Sequence, residues 1–301
     1  MSGTGQDLIR LSLAAAQSQA AGLDAQDLAW MSCLVQMDRI ERLRPEQRGQ
    51  SLCRALMAPY PRGFFEALRA CGGLKRFLPE LDQLYAQALP VGAASDATPS
   101  LVAPHAAEVQ LRVLDRLAAS GAPLEHRLAG LLHRIGGMPA EGDRCLDRAV
   151  DRLRPTRPGE TALAALAALS ERCQLPEARL VLCRQLMRHR DRLLHLADGD
   201  PEAVLQLLLE LGCPDQPQAL GTLLHLCQLE YEATVGRPGF VQARWWLRMQ
   251  AVLLAVSVPG AQADPGHDLT RRQAQLARLR QILMQAPFRQ ASGPSPPPPW
   301  R

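Results

Sequence analysis

The chain has 301 residues, of which 47% are hydrophobic, 21% charged and only 4% aromatic, and its formal net charge is +4. This length predicts one to three domains with an ample core. The modest charge excludes a histone-like or polycationic protein, and no apolar run reaches the roughly 18–20 residues of a membrane span. The N-terminus lacks the basic and apolar regions of a secretory signal. We therefore expect a soluble cytoplasmic chain with no membrane partner.

Helix-forming Leu, Ala, Gln and Arg dominate the sequence and β-branched residues are scarce, which predicts an all-α fold. Asp24 is placed to cap a helix, and Pro45, Pro61 and Pro79 each suit a first helical position. Gly72 is expected to end the helix that Pro61 begins. Further helices are predicted over residues 104–120, 124–135, 141–154, 160–173, 177–197, 201–211, 217–235, 240–257 and 268–285.

Composition divides the chain into four parts. Residues 1–90 and 101–286 carry the predicted helices. Residues 91–100 lack any period and are rich in small and polar residues, so they predict a linker. Residues 287–301 contain GPSPPPPWR, a proline-rich tail that cannot join a packed helix. The eight cysteines form no Cys-x-x-Cys pair, and we expect them to be small core residues rather than disulfides.

Several segments resemble the motifs of one known family and follow its motif order. The stretch PRGFFEALRACGGLKRFLPELDQLY at 61–85 resembles the body-domain signature R-x-F-F-E-x-L-R-x-C-G-A-L-x-x-L-x-P-E of bacterial CCA-adding tRNA nucleotidyltransferases. The match at 61–85 is the most specific. Weaker matches occur elsewhere in the chain, and they gain weight because they follow the motif order of the family. These weaker resemblances to the same family lie at 6–31, 45–57, 111–117, 128–137 and 229–240.

The resemblance implies a role for each part of the chain. Residues 1–90 would form the neck and body helices that bind RNA, and 101–286 a degenerate version of the metal-binding HD module followed by C-terminal helices. Family members also carry an N-terminal head whose paired aspartates hold two Mg²⁺ ions. Only five residues precede Gln6, and none of them is a carboxylate. We therefore expect a headless chain with no catalytic residue, no metal and no cofactor.

Asp7 and Arg10 stand where the family has the Asp and Arg of E-D-x-x-R, a protein template that hydrogen-bonds the base of the incoming nucleotide. Gln6 replaces the Glu of that motif. The pair is therefore a candidate remnant of the nucleotide template. Because Asp7 and Arg10 are three residues apart, they also share a helix face, where a simple surface ion pair is the favoured alternative.

His133 and Arg134 stand where the family has the His-Asp pair of the HD module. A single imidazole beside a guanidinium does not hold a divalent metal, because the guanidinium repels it. The favoured interpretation of this degenerate HD cleft is a buried structural histidine. The alternative is that Arg134 places positive charge in the former metal site and binds a phosphate.

Positive charge is concentrated in residues 39–76, which hold nine basic and three acidic residues and so carry +6. Phosphate contacts dominate RNA affinity and need concentrated positive charge. A second basic cluster follows at 184–192, and Trp245 and Trp246 offer rings for base stacking, with core packing favoured for the tryptophans. A solvated helix face is the alternative for these cations. The candidate RNA-binding residues are Arg39, Arg42, Arg44, Arg48, Arg54, Arg62, Arg69, Lys75, Arg76, Arg184, Arg188 and Arg190.

Four hypotheses follow for the function. The favoured one is a headless, catalytically inactive relative of the CCA-adding enzyme that binds tRNA or a related structured RNA. The second is one half of a split enzyme whose head lies on another nucleotidyltransferase chain. The third is a protein-interaction scaffold that docks a partner through its proline-rich tail. The fourth is a misplaced start codon, with the head encoded upstream.

Overall fold

A computed structural model describes residues 4–17, 23–87, 105–136, 158–194, 201–212 and 217–235, together with Ala277 and Gln281. These residues form twelve α-helices and no β-strand, which confirms the all-α prediction for the part of the chain described. Within the same residues, no helix combines the length and apolar character that crossing a bilayer requires.

The helix starts agree with the sequence prediction. Asp24 caps the second helix by accepting the backbone N–H of Asp27 at 2.7 Å, and Pro45, Pro61 and Pro79 are each the first residue of a helix. The helices are α1 Gly5–Ala15, α2 Ala25–Gln36, α3 Pro45–Met57, α4 Pro61–Ala70, α5 Leu74–Phe77, α6 Pro79–Leu84, α7 Ala106–Ala119, α8 Leu124–Leu132, α9 Pro158–Cys173, α10 Glu177–Leu194, α11 Pro201–Glu210 and α12 Pro217–Val235.

Some predicted elements lie outside the described residues. These are the helices at 141–154 and 240–257, the linker at 91–100 and the tail at 287–301; of the helix at 268–285, only Ala277 and Gln281 are described, and both are helical. Within the described part, the sequence missed α5, the four-residue helix between Gly72 and Pro79. Gly72 has a φ of 75° and ends α4 as predicted.

The chain divides into two compact units, Met1–Met187 with Ala233–Val235, and Arg188–Glu232 with Gly236–Arg301. In the first unit α3 is the central helix and packs against α1, α4, α7, α8 and α9. The three phenylalanines Phe64, Phe65 and Phe77 are fully buried beside it and form edge-to-face pairs with ring centroids 5.2 and 5.6 Å apart. In the second unit, leucines of α11 and α12 and the thiol of Cys227 are buried.

Two glycines set how closely helices of the first unit approach. A Cβ on Gly49 of α3 would collide with the carbonyl oxygen of Cys173 on α9, and a Cβ on Gly63 of α4 would collide with that of Ala15 on α1. Any larger residue at Gly49 or Gly63 would therefore separate the helix pair at that point.

Arg48 is buried and its guanidinium is fully engaged by backbone carbonyls. It donates to Ile40 at 2.7 Å, to Arg76 at 3.1 Å and to Leu43 at 3.4 Å. These bonds tie the start of α3 to the preceding turn and to α5. Only 7% of Arg48 is exposed, so we leave it out of the candidate RNA-binding surface, although it lies in the basic segment.

Arg127 forms a second clamp of the same kind. Its Nε donates to the carbonyl of Ala122 at 2.8 Å, and its Nη1 donates to Leu56 at 2.7 Å and to Ala58 at 3.3 Å. The last two carbonyls belong to the C-terminal end of α3, where no further helical N–H is present to satisfy them. Arg127 of α8 therefore supplies the hydrogen-bond donors that the C-terminal end of α3 lacks.

Arg127→Met should lower the free energy of unfolding by about 2–4 kcal/mol, because it leaves buried carbonyls without a donor while keeping side-chain volume. The matched control is Arg116→Met on the exposed side of α7, which should stay within about 0.5 kcal/mol of the wild type. Urea unfolding followed by far-UV circular dichroism measures both. Equal losses in the two variants would contradict the clamp.

Candidate functional site

A groove of about 510 Å³ runs between α1 and α3. Asp7 and Arg10 line it from α1, and Gln47, Ser51 and Arg54 line it from α3. The structure thus brings the template candidates beside a cation and polar side chains that lie more than thirty residues away in the sequence. We call this the α1–α3 groove.

Asp7 is engaged at the start of α1. Its Oδ2 accepts the backbone N–H of Thr4 at 2.8 Å and the hydroxyl of Thr4 at 2.9 Å. These bonds complete a capping box and lower the pKa of Asp7. Arg10 lies 3.6 Å from Oδ1 with 79% of its side chain exposed. The surface ion pair is present, and the template role of the two residues stays a prediction.

The basic residues of 39–76 differ in their exposure and in whether an acidic residue pairs with them. Four of them, Arg42, Arg44, Arg54 and Lys75, are exposed, and within the described ranges no ion pair engages them. Arg39 is half-buried. By contrast, Arg76 bonds Asp38 and lies 2.6 Å from Glu41. The usable positive surface is therefore smaller than the +6 of the segment suggests.

A larger groove of about 940 Å³ lies where α4 crosses α7 and α1, and we call it the α4–α7 groove. Arg62 of α4 lies between two carboxylates in it, 2.6 Å from Glu66 and 4.0 Å from Asp115 of α7. Burial raises the pKa of Asp115 to about 6, with Arg62 opposing that rise and Glu66 adding to it. The rest of the described wall consists of Tyr60 and of apolar residues that are mostly small: Ala15, Leu23, Leu28, Pro59, Gly63, Ala67, Ala70, Ala118 and Ala119.

The α4–α7 groove continues into a smaller one of about 480 Å³ that also uses Arg62 and Glu66. There the guanidinium of Arg69 lies 3.8 Å above the ring of Tyr85, a cation–π contact. Arg62 and Arg69 share the exposed face of α4, whereas Arg76 belongs to α5. Sequence reasoning found the two arginines but missed Asp115 and Tyr85, because nothing in the sequence shows that α7 and α6 meet this face.

His133 lies at the C-terminal end of α8 and is buried. Its Nδ1 is 3.0 Å from the carbonyl of Ala129 and 3.2 Å from that of Gly130. Since a carbonyl oxygen only accepts, the ring proton lies on Nδ1. Arg134 follows, half-buried in the next turn. Among the residues described, no three His, Cys, Asp or Glu side chains are placed to hold a metal ion.

The second predicted basic cluster is mostly engaged in ion pairs. Arg184 pairs with Glu177 on its own helix. Arg190 forms two bonds of 2.8 Å to the buried Glu230 within the second unit. Arg188 is exposed. Trp245 and Trp246 lie outside the described residues.

Similar proteins occur among curated sequences. A multifunctional CCA protein of Cupriavidus necator H16 is 28% identical over 262 residues, which is 86% of this chain and 58% of that protein. One from Halorhodospira halophila is 32% identical over 76% of this chain and 52% of its own length. A third, from Cupriavidus taiwanensis, is 30% identical over 86% and 58%. The chain thus spans a little over half the length of these relatives.

Two further comparisons find no counterpart. No family model matches the chain. No solved structure matches it either.

The raised pKa of Asp115 predicts how stability depends on pH. The folded state binds this proton more tightly than the unfolded chain, whose aspartates titrate near about 4. The resulting stabilisation is therefore complete below about pH 4 and is lost as the pH rises through about 6. As the pH rises between these values, the free energy of unfolding of Asp115→Asn should increase by about 1 kcal/mol relative to that of the wild type. This difference is small because 41% of the Asp115 side chain is exposed.

Urea midpoints of both proteins between pH 4 and pH 7 measure this difference. An NMR titration of the carboxyl carbon, assigned by its absence in the variant, checks the pKa directly. A stability difference that does not change with pH would contradict the burial of Asp115.

Proposed function

This chain is a tRNA nucleotidyltransferase-like protein, a relative of the multifunctional CCA proteins, and from that premise we propose that it binds tRNA or a related structured RNA without itself catalysing nucleotidyl transfer. The observation that carries the proposal is the similarity to those proteins over most of the chain. tRNA is the natural candidate ligand, because CCA-adding enzymes act on it.

The exposed cations support this proposal. Arg42 and Arg44 lie between α2 and α3, and Arg54 lines the α1–α3 groove. Structured RNA is recognised mainly through its shape, its phosphates and its 2′-hydroxyls. A cation without an acidic partner is free to contact a phosphate, and each contact releases counterions and makes affinity depend on salt.

We assign no catalytic step to the chain. Two-metal nucleotidyl transfer needs carboxylates grouped around the metals, and the described residues contain no such group. Asp7 accepts bonds at the cap of α1, and His133 donates to carbonyls of its own helix. The proposed role is therefore to hold RNA.

Binding to a tRNA transcript, measured by filter binding, tests the proposal. We expect tRNA to bind more tightly than duplex DNA of equal length, with affinity falling as salt rises. Arg42→Gln, Arg44→Gln and Arg54→Gln should each weaken binding about three-fold and together at least about ten-fold, and each should reduce the slope of log affinity against log salt.

Arg116→Gln removes the same charge from α7 and is the matched control; it should change affinity less than any of the three. Equal affinity for tRNA and duplex DNA, or affinity that does not change with salt, would contradict RNA binding as the function.

A second candidate is that the chain is the RNA-binding subunit of a split CCA-adding enzyme. In that case this chain, whose match covers a little over half the length of the multifunctional CCA proteins, would hold the RNA. A separate head-containing nucleotidyltransferase chain would supply the catalytic part. Mixing the chain with such a protein should then allow ATP and CTP to be incorporated into tRNA lacking its 3′ end. Incorporation that is the same with and without this chain would exclude the split enzyme.

A further inference from the structure

The turn between α3 and α4 presents an aromatic ring at the wall of the α4–α7 groove. Tyr60 lines the groove and is 41% exposed. Its backbone N–H donates to the carbonyl of Ala16 at 3.0 Å, and the carbonyl of Ala58 accepts from Arg127. Both ends of the turn are therefore fixed, so the backbone that carries the Tyr60 ring is held at the groove.

The size and shape of the groove suit a flat ligand. Its volume of about 940 Å³ lies within the range of roughly 300–1,000 Å³ that ligand sites occupy. Alanines from α1, α4 and α7 form much of its wall. Such short side chains let a planar ring approach the helix backbones closely.

The charges in the groove exclude a phosphate and favour hydrogen-bond donors. Among the described residues that line the groove, Arg62 is the single cation, and it faces two carboxylates, Glu66 and Asp115. The 2.6 Å bond to Glu66 occupies the guanidinium of Arg62, which lies 4.0 Å from Asp115. Asp115 accepts the backbone N–H of Arg62, and its carboxylate has further lone pairs that can accept. A base edge with an amino group matches this acceptor, while a phosphate would be repelled.

Positive charge lies outside the groove. Arg69 is exposed on α4 in the adjoining smaller groove, which also contains Glu66 and Glu108. A nucleotide with its base in the α4–α7 groove would therefore have its phosphates outside that groove, where Arg69 offers a cation.

We propose that the α4–α7 groove binds one unpaired nucleobase of the RNA, stacked on Tyr60, and selects bases with an exocyclic amino group over uracil through Asp115. This proposal rests on RNA binding as the proposed function. Uracil fits less well, because the only donor on its pairing edge, N3–H, lies between two carbonyl oxygens that the carboxylate would repel. Tyr60 binds by stacking, which does not use its hydroxyl.

Short single-stranded RNAs test the groove in the full-length chain. Fluorescence anisotropy would compare labelled oligo(A), oligo(C) and oligo(U) of equal length. Tyr60→Ala should weaken binding of oligo(A) and oligo(C) about ten-fold, and Tyr60→Phe should restore it. Met57→Ala, at the exposed last residue of α3, is the control and should bind like the wild type. Asp115→Asn should remove the preference over oligo(U), because an amide also donates.

The outcomes separate the two proposals. If Tyr60→Ala binds the oligonucleotides like the wild type while Arg54→Gln still weakens tRNA binding, the groove proposal is overturned and RNA binding stands. If the wild type binds no RNA at all, the proposed function itself fails. A cationic peptide that binds in a Tyr60-dependent way and does not compete with RNA would also overturn the nucleobase assignment.

Discussion

Buried guanidinium groups that donate to backbone carbonyls hold the central helix of the first unit in place. Arg48, near the start of α3, satisfies carbonyls of the preceding turn and of α5, and Arg127 satisfies those at the end of α3. Burying a charge is costly unless it is fully hydrogen-bonded, so each clamp works only in one arrangement of the helices. Because α3 packs against α1, α4, α7, α8 and α9, these two arginines fix the frame on which both grooves depend.

Arginine therefore has two roles in this chain, which contains only one lysine: a buried hydrogen-bond donor and a surface cation. Arg48 and Arg54 lie six residues apart on one helix, yet the first is 7% exposed and bonded to carbonyls, while the second faces the α1–α3 groove. Guanidinium suits both roles, because its planar array of donors serves several carbonyls at once and also matches a phosphate. Charge counted along the sequence overstates the surface available to RNA for this reason.

Local signals predicted the helices well because caps and prolines act within a few residues. Asp24 and the three prolines marked helix starts correctly, whereas α5 was missed because four residues give no period. The burial of Arg48 did have a signal: it precedes Leu52 and Leu56 at intervals of four, on the buried stripe of α3. No local sequence signal predicts the α4–α7 groove, because Arg62 and Asp115 are 53 positions apart and only the packing of the helices brings them together.

The α3–α4 turn connects the two grooves physically. Arg127 donates to the carbonyl of Ala58, and two residues later the N–H of Tyr60 donates to the carbonyl of Ala16, the residue that follows α1. The position of the turn that carries Tyr60 thus depends on Arg127 of α8 and on the end of α1, and the C-terminal end of α3 depends on Arg127 as well. A ligand that contacts both grooves would meet surfaces already ordered, and binding would lose little side-chain and backbone entropy. That preorganisation is a property of the buried clamps, which themselves touch no ligand.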